Sequence, residues 1–357
     1  MNGPFARFDG HEQVVLGSDP DTGLRAIIAI HSTRLGPSLG GTRFYPYPDE
    51  SAALTDALRL SKAMAYKAAV AGLDLGGGKA VIIGDPARDK SEGLLRAYGR
   101  LVESLNGRYI TACDVGTYPK DMAIVARETR WVTGAEPVEG GSGDSGVMTA
   151  HGTFEGVRAC LAERWGSDAL TGRHVAIQGV GKVGRRLAGA IHEAGGKVTV
   201  ADTNADATAW CAEHLGADVV DVDKIHMVDA DVFSPNALGA VINDHTIPEL
   251  QSDVIAGAAN NQLEDERHAA ALRDAGILYA PDYVINAGGV IQVADEMHAD
   301  GYSESRARVR VEQIGPRLRE IFALAHDEGI TTLAAADRFA ERRMATVGRL
   351  RGFWLRS

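Results

Sequence analysis

Cysteine is scarce in this chain: Cys113, Cys160 and Cys211 are three in number, far apart, and without the CxxC spacing of a zinc ligand pair. Neither a disulfide framework nor a metal site is therefore expected, and a reducing, cytoplasmic setting suits the free thiols. Long apolar runs are missing as well. Nowhere do 18 apolar residues follow one another, and the start MNGPFARFDG has no apolar core of signal-peptide length, so neither a membrane span nor export is expected. The third shortage is of basic charge, with 37 Lys and Arg against 48 Asp and Glu, a net charge of −11 and a pI near 5.5. A surface of that sign repels nucleic acid and anionic membranes, and neither is expected as a partner. Internal repeats and low-complexity tracts are also lacking.

What is present fits two domains: 357 residues, 45% of them hydrophobic, are too many for one simple core and enough for two. The clearest boundary is VEGGSGDSG (138–146), whose glycines and serines pack no core and allow bending, so a hinge is placed there. Before it, HEQVVLGSD and LRAIIAIHST read as an antiparallel pair around the turn Pro20-Asp21-Thr22-Gly23. LGPSLGGTRFYPYP (35–48) is too rich in glycine and proline for a regular element and reads as a loop. Its Gly40-Gly41 and Arg43 nevertheless set backbone amides and a cation close together, a good anion contact. DESAALTDALRLSKAMAYKAAVAGL has apolar residues at helical spacing and delivers Lys67, while KAVIIGDP and RYITAC read as strands, the second ending at Asp114. SEGLLRAYGRLVESLNG between them reads as a helix closed by Asn106-Gly107.

The run KAAVAGLDLGGGK (67–79) carries the first chemistry. Gly76-Gly77-Gly78 let backbone approach backbone or ligand closely, and a lysine held beside them can lose its water. Desolvation, and the charge of Lys67 if it lies close, would lower the proton affinity of Lys79 until it can act as a base, leaving Lys67 to hold an anion. Read alone, each residue has a plainer alternative. Lys67 falls beside Leu60 and Met64, where a lysine buries its stem and keeps its head in water, and Asp114 is a turn former at a strand end.

After the boundary, RHVAIQGVGKVGRRLAGAIHEAGGKVTVAD gives strand, GxGxxG, helix, strand and acidic residue in order. Gly179 permits the tight turn, Gly181 lets a pyrophosphate approach the helix N-terminus, and Gly184 lets helix and strand pack. Asp202 can accept both ribose hydroxyls of adenosine and would repel a 2′-phosphate, so NAD is expected over NADP, with Lys182 the one cation inside the motif. Further strand-like runs at ADVVDV, ADVFSPN, SDVIAGAANN and ILYAPDYVINAGG complete a doubly wound sheet. Asn260 and Asn286 each follow such a run, where ligands bind in this architecture. In the last stretch, helical over 305–350, Gly315-Pro316 predicts a kink or break.

Taken together, KAAVAGLDLGGGKAVIIGDP, LGPSLGGTRFYPY, TACDVGTYPKDM, GVGKVG, GAANNQL and ILYAPDYVINAGGVIQVADE resemble, in the same order, the motifs of the amino acid dehydrogenases that act on glutamate, leucine, phenylalanine and valine. The resemblance implies a two-domain α/β fold: an N-terminal α/β substrate domain over 1–143, to which the last helices (328–357) return, and a Rossmann-type doubly wound NAD-binding domain over 144–327. It implies that Lys67 holds the substrate carboxylate, Lys79 is the general base, and Asp114 relays protons to and from the amine. Gly40 and Gly41 would meet the amino acid's main-chain groups, with Met64, Val290, Val293 and Asn260 around the substrate. To the cofactor it assigns Gly179, Gly181, Lys182, Val183, Gly184, Asp202, Thr203, Arg43, Ser145, Thr149, Asn260 and Asn286. Ala237 and Leu238 are carried over despite Asn236, where relatives have cysteine.

No cation near Val290 and Val293 would meet a side-chain carboxylate, which disfavours glutamate, and VINAGGVIQVADE is most similar to the valine branch. The expected reaction is reversible oxidative deamination of a branched aliphatic L-amino acid by a homo-oligomer, a dimer or larger, with leucine or phenylalanine as alternatives. Two other readings compete: Lys79 as a Schiff-base nucleophile, which leaves the dinucleotide motif unexplained, and a non-catalytic NAD-binding sensor, in which one of Lys67, Lys79 and Asp114 would be lost. The terminal RGFWLRS reads as a segment that packs on the body or on a subunit neighbour.

Overall fold

HEQVVLGSD and the apolar run after it form β1 (Gln13–Asp19) and β2 (Leu24–Ser32), paired antiparallel as the turn between them predicts. Both alternations of β2 are apolar, because both of its faces are covered. The computed structural model describes residues 4–350, and RGFWLRS lies outside the described residues. The chain divides into two units: one takes the residues up to Gly143, Gln292–Glu304 and the chain from Ala340, the other Asp144–Ile291 and Ser305–Phe339. Both are α/β.

The first unit is built on a five-stranded mixed sheet of order β1-β2-β4-β3-β5, where β3 is Ser38–Tyr45, β4 Gly76–Ile83 and β5 Tyr109–Cys113. Helix α1 (Glu50–Val70), capped by Asp49, covers one face. Ile27, Ala29 and Val81 pack there against Ala53, Ala57 and Leu58. Helices α2 (Glu92–Glu103), capped by Ser91, and α3 (Pro119–Val125) cover the other, where Tyr98 of α2 packs in one cluster with Ile28, Phe44 and Ile82 of the sheet. β3 corrects the loop expected at 35–48, since it lies in the sheet parallel to β4 and β5 on either side. Its glycines do not break the strand, because β3 and its neighbours run so close that a side chain at Gly40 would collide with the Gly78 carbonyl. The triple glycine likewise belongs to a strand. A Cβ on Gly76 would strike the Ser32 carbonyl, one on Gly77 would strike Ala65 of α1, and one on Gly78 would stand 2.7 Å from the Tyr109 ring.

The second unit holds a six-stranded parallel sheet, β11-β10-β9-β6-β7-β8. Helix α4 (Gly146–Trp165) leads into β6 (His174–Gln178), α5 (Gly184–Glu193), β7 (Lys197–Ala201), α6 (Ala205–Leu215) and β8 (Asp218–Val219). Then come β9 (Val232–Pro235), β10 (Val254–Ile255), α7 (His268–Asp274) and β11 (Leu278–Tyr279). The run ILYAPDYVINAGG is a strand for two residues only; past Pro281 the chain turns into α8 (Asp282–Ile285), so Asn286 follows a helix end and not a strand end. Proline explains the switch: its fixed φ suits a helix start and its missing N–H ends the ladder.

Helix α9 (Gly288–Asp295) follows, and the division between the units falls inside it. Pro316 likewise breaks the last stretch, between α10 (Glu304–Val311) and α11 (Ile314–Glu328), and sits in the first turn of α11. Helix α12 (Thr332–Leu350) ends the described chain, and from Ala340 it belongs with the first unit.

Candidate active site

Strand parity decides which side chains of the first unit can meet. On β4, Lys79 alternates with Ala80 and so shares a face with Gly77 and Val81, the face that α1 covers. On β3, Thr42 and Phe44 point to the α2 side, where the Thr42 hydroxyl meets those of Tyr98 and Thr111, which leaves Gly41 and Arg43 on the α1 side. Asp114 follows directly on the end of β5, and Gly41 lets it close in, since a Cβ there would stand 2.9 Å from the Asp114 Cβ. The result is one cluster on the α1 face.

Within it the Lys79 ammonium donates to Asp114 Oδ2, and Lys79 is only 6% exposed. Burial is the largest influence and lowers the proton affinity of Lys79; Asp114 opposes it, and Arg43 is a cation that adds to the fall. Burial alone would raise the Asp114 carboxyl, yet Lys79 and Arg43 outweigh it and hold the group below the usual carboxylate range. A buried lysine of lowered proton affinity, bonded to an ionised carboxylate, is an arrangement that can serve as a base with its partner.

Arg43 is placed inside this cluster: Nη1 donates to Asp56 at 2.8 Å, and Nε lies 3.4 Å from Asp114 Oδ2. Asp56, on α1, also accepts from the Tyr47 hydroxyl at 2.6 Å. Lys67 and Met64 are half-buried further along α1, at spacings that continue the stripe Asp56, Leu60, Met64, Lys67. Gly40 is buried and its carbonyl accepts from Tyr109 Oη at 2.6 Å. The glycine-rich stretch at 138–146 is tied down within the first unit as far as Ser142, whose N–H and hydroxyl donate to Glu296, and whose carbonyl accepts from Gln292 at 2.8 Å.

In the second unit the turn after β6 has the shape the motif predicts. Gly179 has φ +88°, a conformation that favours glycine, and a Cβ there would stand 2.7 Å from that of Ala237. On Gly184 it would collide with the Gly179 carbonyl, so this glycine lets helix and strand close up. Gly181 differs: nothing lies within 4 Å of where its Cβ would be. No packing contact calls for a glycine there, and the open space leaves room for a phosphate to reach the backbone. Val183 leads into α5, and Lys182 is exposed beside it. Asp202 accepts from Val180 N–H at 2.7 Å and Asn204 N–H at 2.8 Å, one on each oxygen, which fixes the carboxylate while leaving lone pairs for a ribose. Thr203 next to it is exposed.

Asn286 donates to Asn260 Oδ1 at 2.8 Å and to the Ala258 carbonyl at 3.1 Å. Its own Oδ1 is buried without a partner, an acceptor left over for a ligand. Asn236 holds the strand ends together, donating to Ser234 and accepting from the Ala258 N–H, while Leu238 is 77% exposed. Thr149 and Ser145 stand where α4 begins, against Gly289 at the start of α9. On α9, Val290 and Val293 are both half-buried and three residues apart, hence on one side of the helix. The open position at Gly181, the Asp202 carboxylate and the unpartnered Asn286 oxygen fit a dinucleotide with an unphosphorylated ribose.

Comparison with known proteins agrees with both halves. Residues 11–131 match the Glu/Leu/Phe/Val dehydrogenase dimerisation domain, and residues 203–351 match the Glutamate/Leucine/Phenylalanine/Valine dehydrogenase domain. The chain belongs to this dehydrogenase family. Leucine dehydrogenase of Geobacillus stearothermophilus is 51% identical over 97% of this chain and 94% of its own, and valine dehydrogenase of Streptomyces coelicolor is 53% identical over 94% and 93%. The crystal structure of L-tryptophan dehydrogenase from Nostoc punctiforme superposes with a TM-score of 0.85 at 47% identity, covering 95% of this chain and 97% of that one.

The protein is thus an NAD-linked oxidoreductase acting on amino acids, with an N-terminal substrate-binding domain and a C-terminal Rossmann-like one. Family membership supports the dehydrogenase reading over the Schiff-base and sensor readings. What the sequence reading of this family member missed is Asp56 and Tyr47. A signal for Asp56 existed in its helical spacing from Lys67, three turns along α1 by roughly 3.6 residues a turn; for Tyr47 there was none.

Proposed function

We propose that this dehydrogenase converts a branched aliphatic L-amino acid, valine best, with NAD and water to the 2-oxo acid, ammonium and NADH, reversibly. The observation that carries the chemistry is the buried Lys79–Asp114 pair on the α1 face of the first unit. Lys67 holds the substrate carboxylate through a charge-assisted bond of about 1.5 to 3 kcal/mol. Gly40 and Gly41 leave that end of the sheet without side chains, so the amino acid's main-chain groups can come near the backbone. Bound NAD supplies the hydride acceptor. Lys79, with its proton affinity lowered by burial, takes the proton from the water that attacks the substrate iminium carbon, a role worth about 10² to 10⁴ in rate. Asp114 takes and returns the proton on the amine nitrogen.

The dinucleotide would lie over Gly181 with its ribose on Asp202, its other contacts being Gly179, Lys182, Val183, Gly184, Thr203, Ser145, Thr149, Ala237, Leu238, Asn260 and Asn286. Substrate choice falls to Met64, Val290 and Val293, which are apolar and place no cation to receive a side-chain carboxylate. The leucine and valine dehydrogenases among the relatives are similar to nearly the same degree, so a branched aliphatic substrate is favoured and the preference for valine rests on the likeness of VINAGGVIQVADE to the valine branch. One methylene in such a pocket is worth about 1 to 3 kcal/mol, so valine, leucine and isoleucine should differ only in degree. The description of the matched N-terminal domain includes dimerisation, and we read the protein as a cytoplasmic homo-oligomer with free thiols at Cys113, Cys160 and Cys211.

The test is NADH formation by the purified protein with NAD and, separately, L-valine, L-leucine, L-isoleucine, L-phenylalanine, L-tryptophan and L-glutamate at alkaline pH. The highest kcat/KM is expected with L-valine. Preference for phenylalanine or tryptophan would keep the chemistry and remove the pocket assignment.

A further inference from the structure

Arg43 faces two carboxylates and satisfies them unequally. Its Nη1 donates to Asp56 Oδ2 at 2.8 Å, whereas its Nε stands 3.4 Å from Asp114 Oδ2 and, although buried, has no hydrogen-bond partner. A guanidinium between two anions would ordinarily offer good bonds to both. Here it is drawn to one side, and the anchor is visible: Asp56 Oδ2 also accepts the Tyr47 hydroxyl at 2.6 Å, and its Oδ1 takes Arg59 at 3.1 Å. Asp56 is half-buried and held below the ordinary carboxylate range, since Tyr47, Arg43 and Arg59 outweigh the opposing effect of burial. Burial, with Asp56 beside it, pushes the Tyr47 phenol well above its usual range, so it remains a donor. Tyr47, Asp56 and Arg43 therefore form a fixed chain that ends against the Lys79–Asp114 pair.

We propose that Asp56, anchored by Tyr47, is a positioning residue that holds the Arg43 guanidinium partly off Asp114, so that Asp114 stays bonded to Lys79 and remains able to take up a proton. The proposal rests on the reading of Lys79 as base and Asp114 as proton relay. The charged and titratable groups around the pair are Arg43 of β3, Tyr47 beyond it, and Asp56 and Arg59 of α1, which also carries Lys67 further on; the Cys113 thiol beside Asp114 is pushed up to about 12 by burial and stays neutral. With Asp56 replaced by a neutral amide, Arg43 has one anion left and moves onto Asp114.

Two consequences follow in sign. Lys79 loses a nearby negative charge and shares Asp114 with a closer cation, so its ammonium is less favoured and the acid limb of the kcat/KM–pH profile moves to lower pH. Asp114, now held by two cations, takes up a proton less readily, so kcat at the plateau falls. Removing Arg43 must do the reverse to Lys79 and move the limb to higher pH.

The experiment is the pH profile of amino acid oxidation by the full-length protein and by Asp56→Asn, Asp56→Glu, Arg43→Gln and the double variant Asp56→Asn/Arg43→Gln, each checked for folding by circular dichroism. Asp56→Asn is expected to shift the acid limb down by about 0.5 to 1 pH unit, Arg43→Gln to shift it up by a similar amount, and Asp56→Glu to restore it. In the Arg43→Gln background the Asp56→Asn shift should shrink to about half or less, because Asp56 acts through Arg43. A uniformly lower kcat for Asp56→Asn with an unmoved limb would mean a structural role only and overturn the proposal. Should Asp56→Asn fail to fold, Arg43→Gln decides: an unmoved limb there would overturn it as well. Turnover retained by Lys79→Ala would instead sink the reading of the pair itself, so the two failures are distinguishable.

Discussion

Two stretches of this chain look alike on paper: Gly-Gly-Gly-Lys at 76–79 and Gly-Val-Gly-Lys at 179–182. The structure gives them opposite surroundings. In the first, every glycine makes room for protein, since side chains there would run into Ser32, Ala65 and Tyr109, and the lysine that follows is buried against Asp114. In the second, Gly179 is required by its φ and by Ala237, but Gly181 makes room for nothing the chain itself provides, and the lysine after it is exposed. What a missing Cβ would have met separates a glycine that serves packing from one beside open space, where the proposed dinucleotide would approach. It also separates a buried lysine from an exposed one.

Replacements in and around these stretches can break the contrast. Gly40→Ala, which drives a methyl group into the Gly78 carbonyl in the middle of the sheet, should have the largest effect, loss of soluble folded protein or a strongly lowered Tm. Gly181→Val should leave Tm unchanged, because its side chain meets open space, and raise KM for NAD by about tenfold or more. A fall in Tm equal to that of Gly40→Ala would erase the distinction drawn here. Val290→Ala, which enlarges the substrate side without touching either glycine run, should shift the phenylalanine-to-valine ratio of kcat/KM toward phenylalanine by about tenfold, or roughly 1.4 kcal/mol. Lys182→Ala should have the smallest effect, a rise of about two- to fivefold in KM for NAD with kcat kept, as for one exposed cation near a phosphate.

Much of this was legible before the structure. The dinucleotide turn is local, its glycines, strand, helix and Asp202 falling within one βαβ unit, so sequence spacing is nearly spatial spacing. The turn between β1 and β2 and the break before Pro316 were legible for the same reason. β3 was not. Its glycines and proline read as a loop because local propensity cannot see that β4 and β5 would flank it and demand close approach. The strand reading of ILYAPDYVINAGG overran for a related reason, since apolar runs of that length suit a buried helix as well as a strand.

At the site, Lys79 and Asp114 came from family resemblance, and their contact across 35 positions of sequence could only be seen in the fold. Desolvation was expected to lower the proton affinity of Lys79, and burial is the largest influence on it, with Arg43 adding to the fall. Arg43, assigned by resemblance to the cofactor, is placed with Asp56 and Asp114, and Asp56 enters only through that contact.

The measurement that bears most directly on the account is turnover by Lys79→Ala at alkaline pH, in protein whose NADH affinity has been measured by fluorescence titration in the same preparation. NADH should bind within about twofold of the unaltered protein, because the dinucleotide turn is untouched, while kcat falls about 10²- to 10⁴-fold. Near-normal kcat in Lys79→Ala would contradict the assignment of the buried lysine as the base.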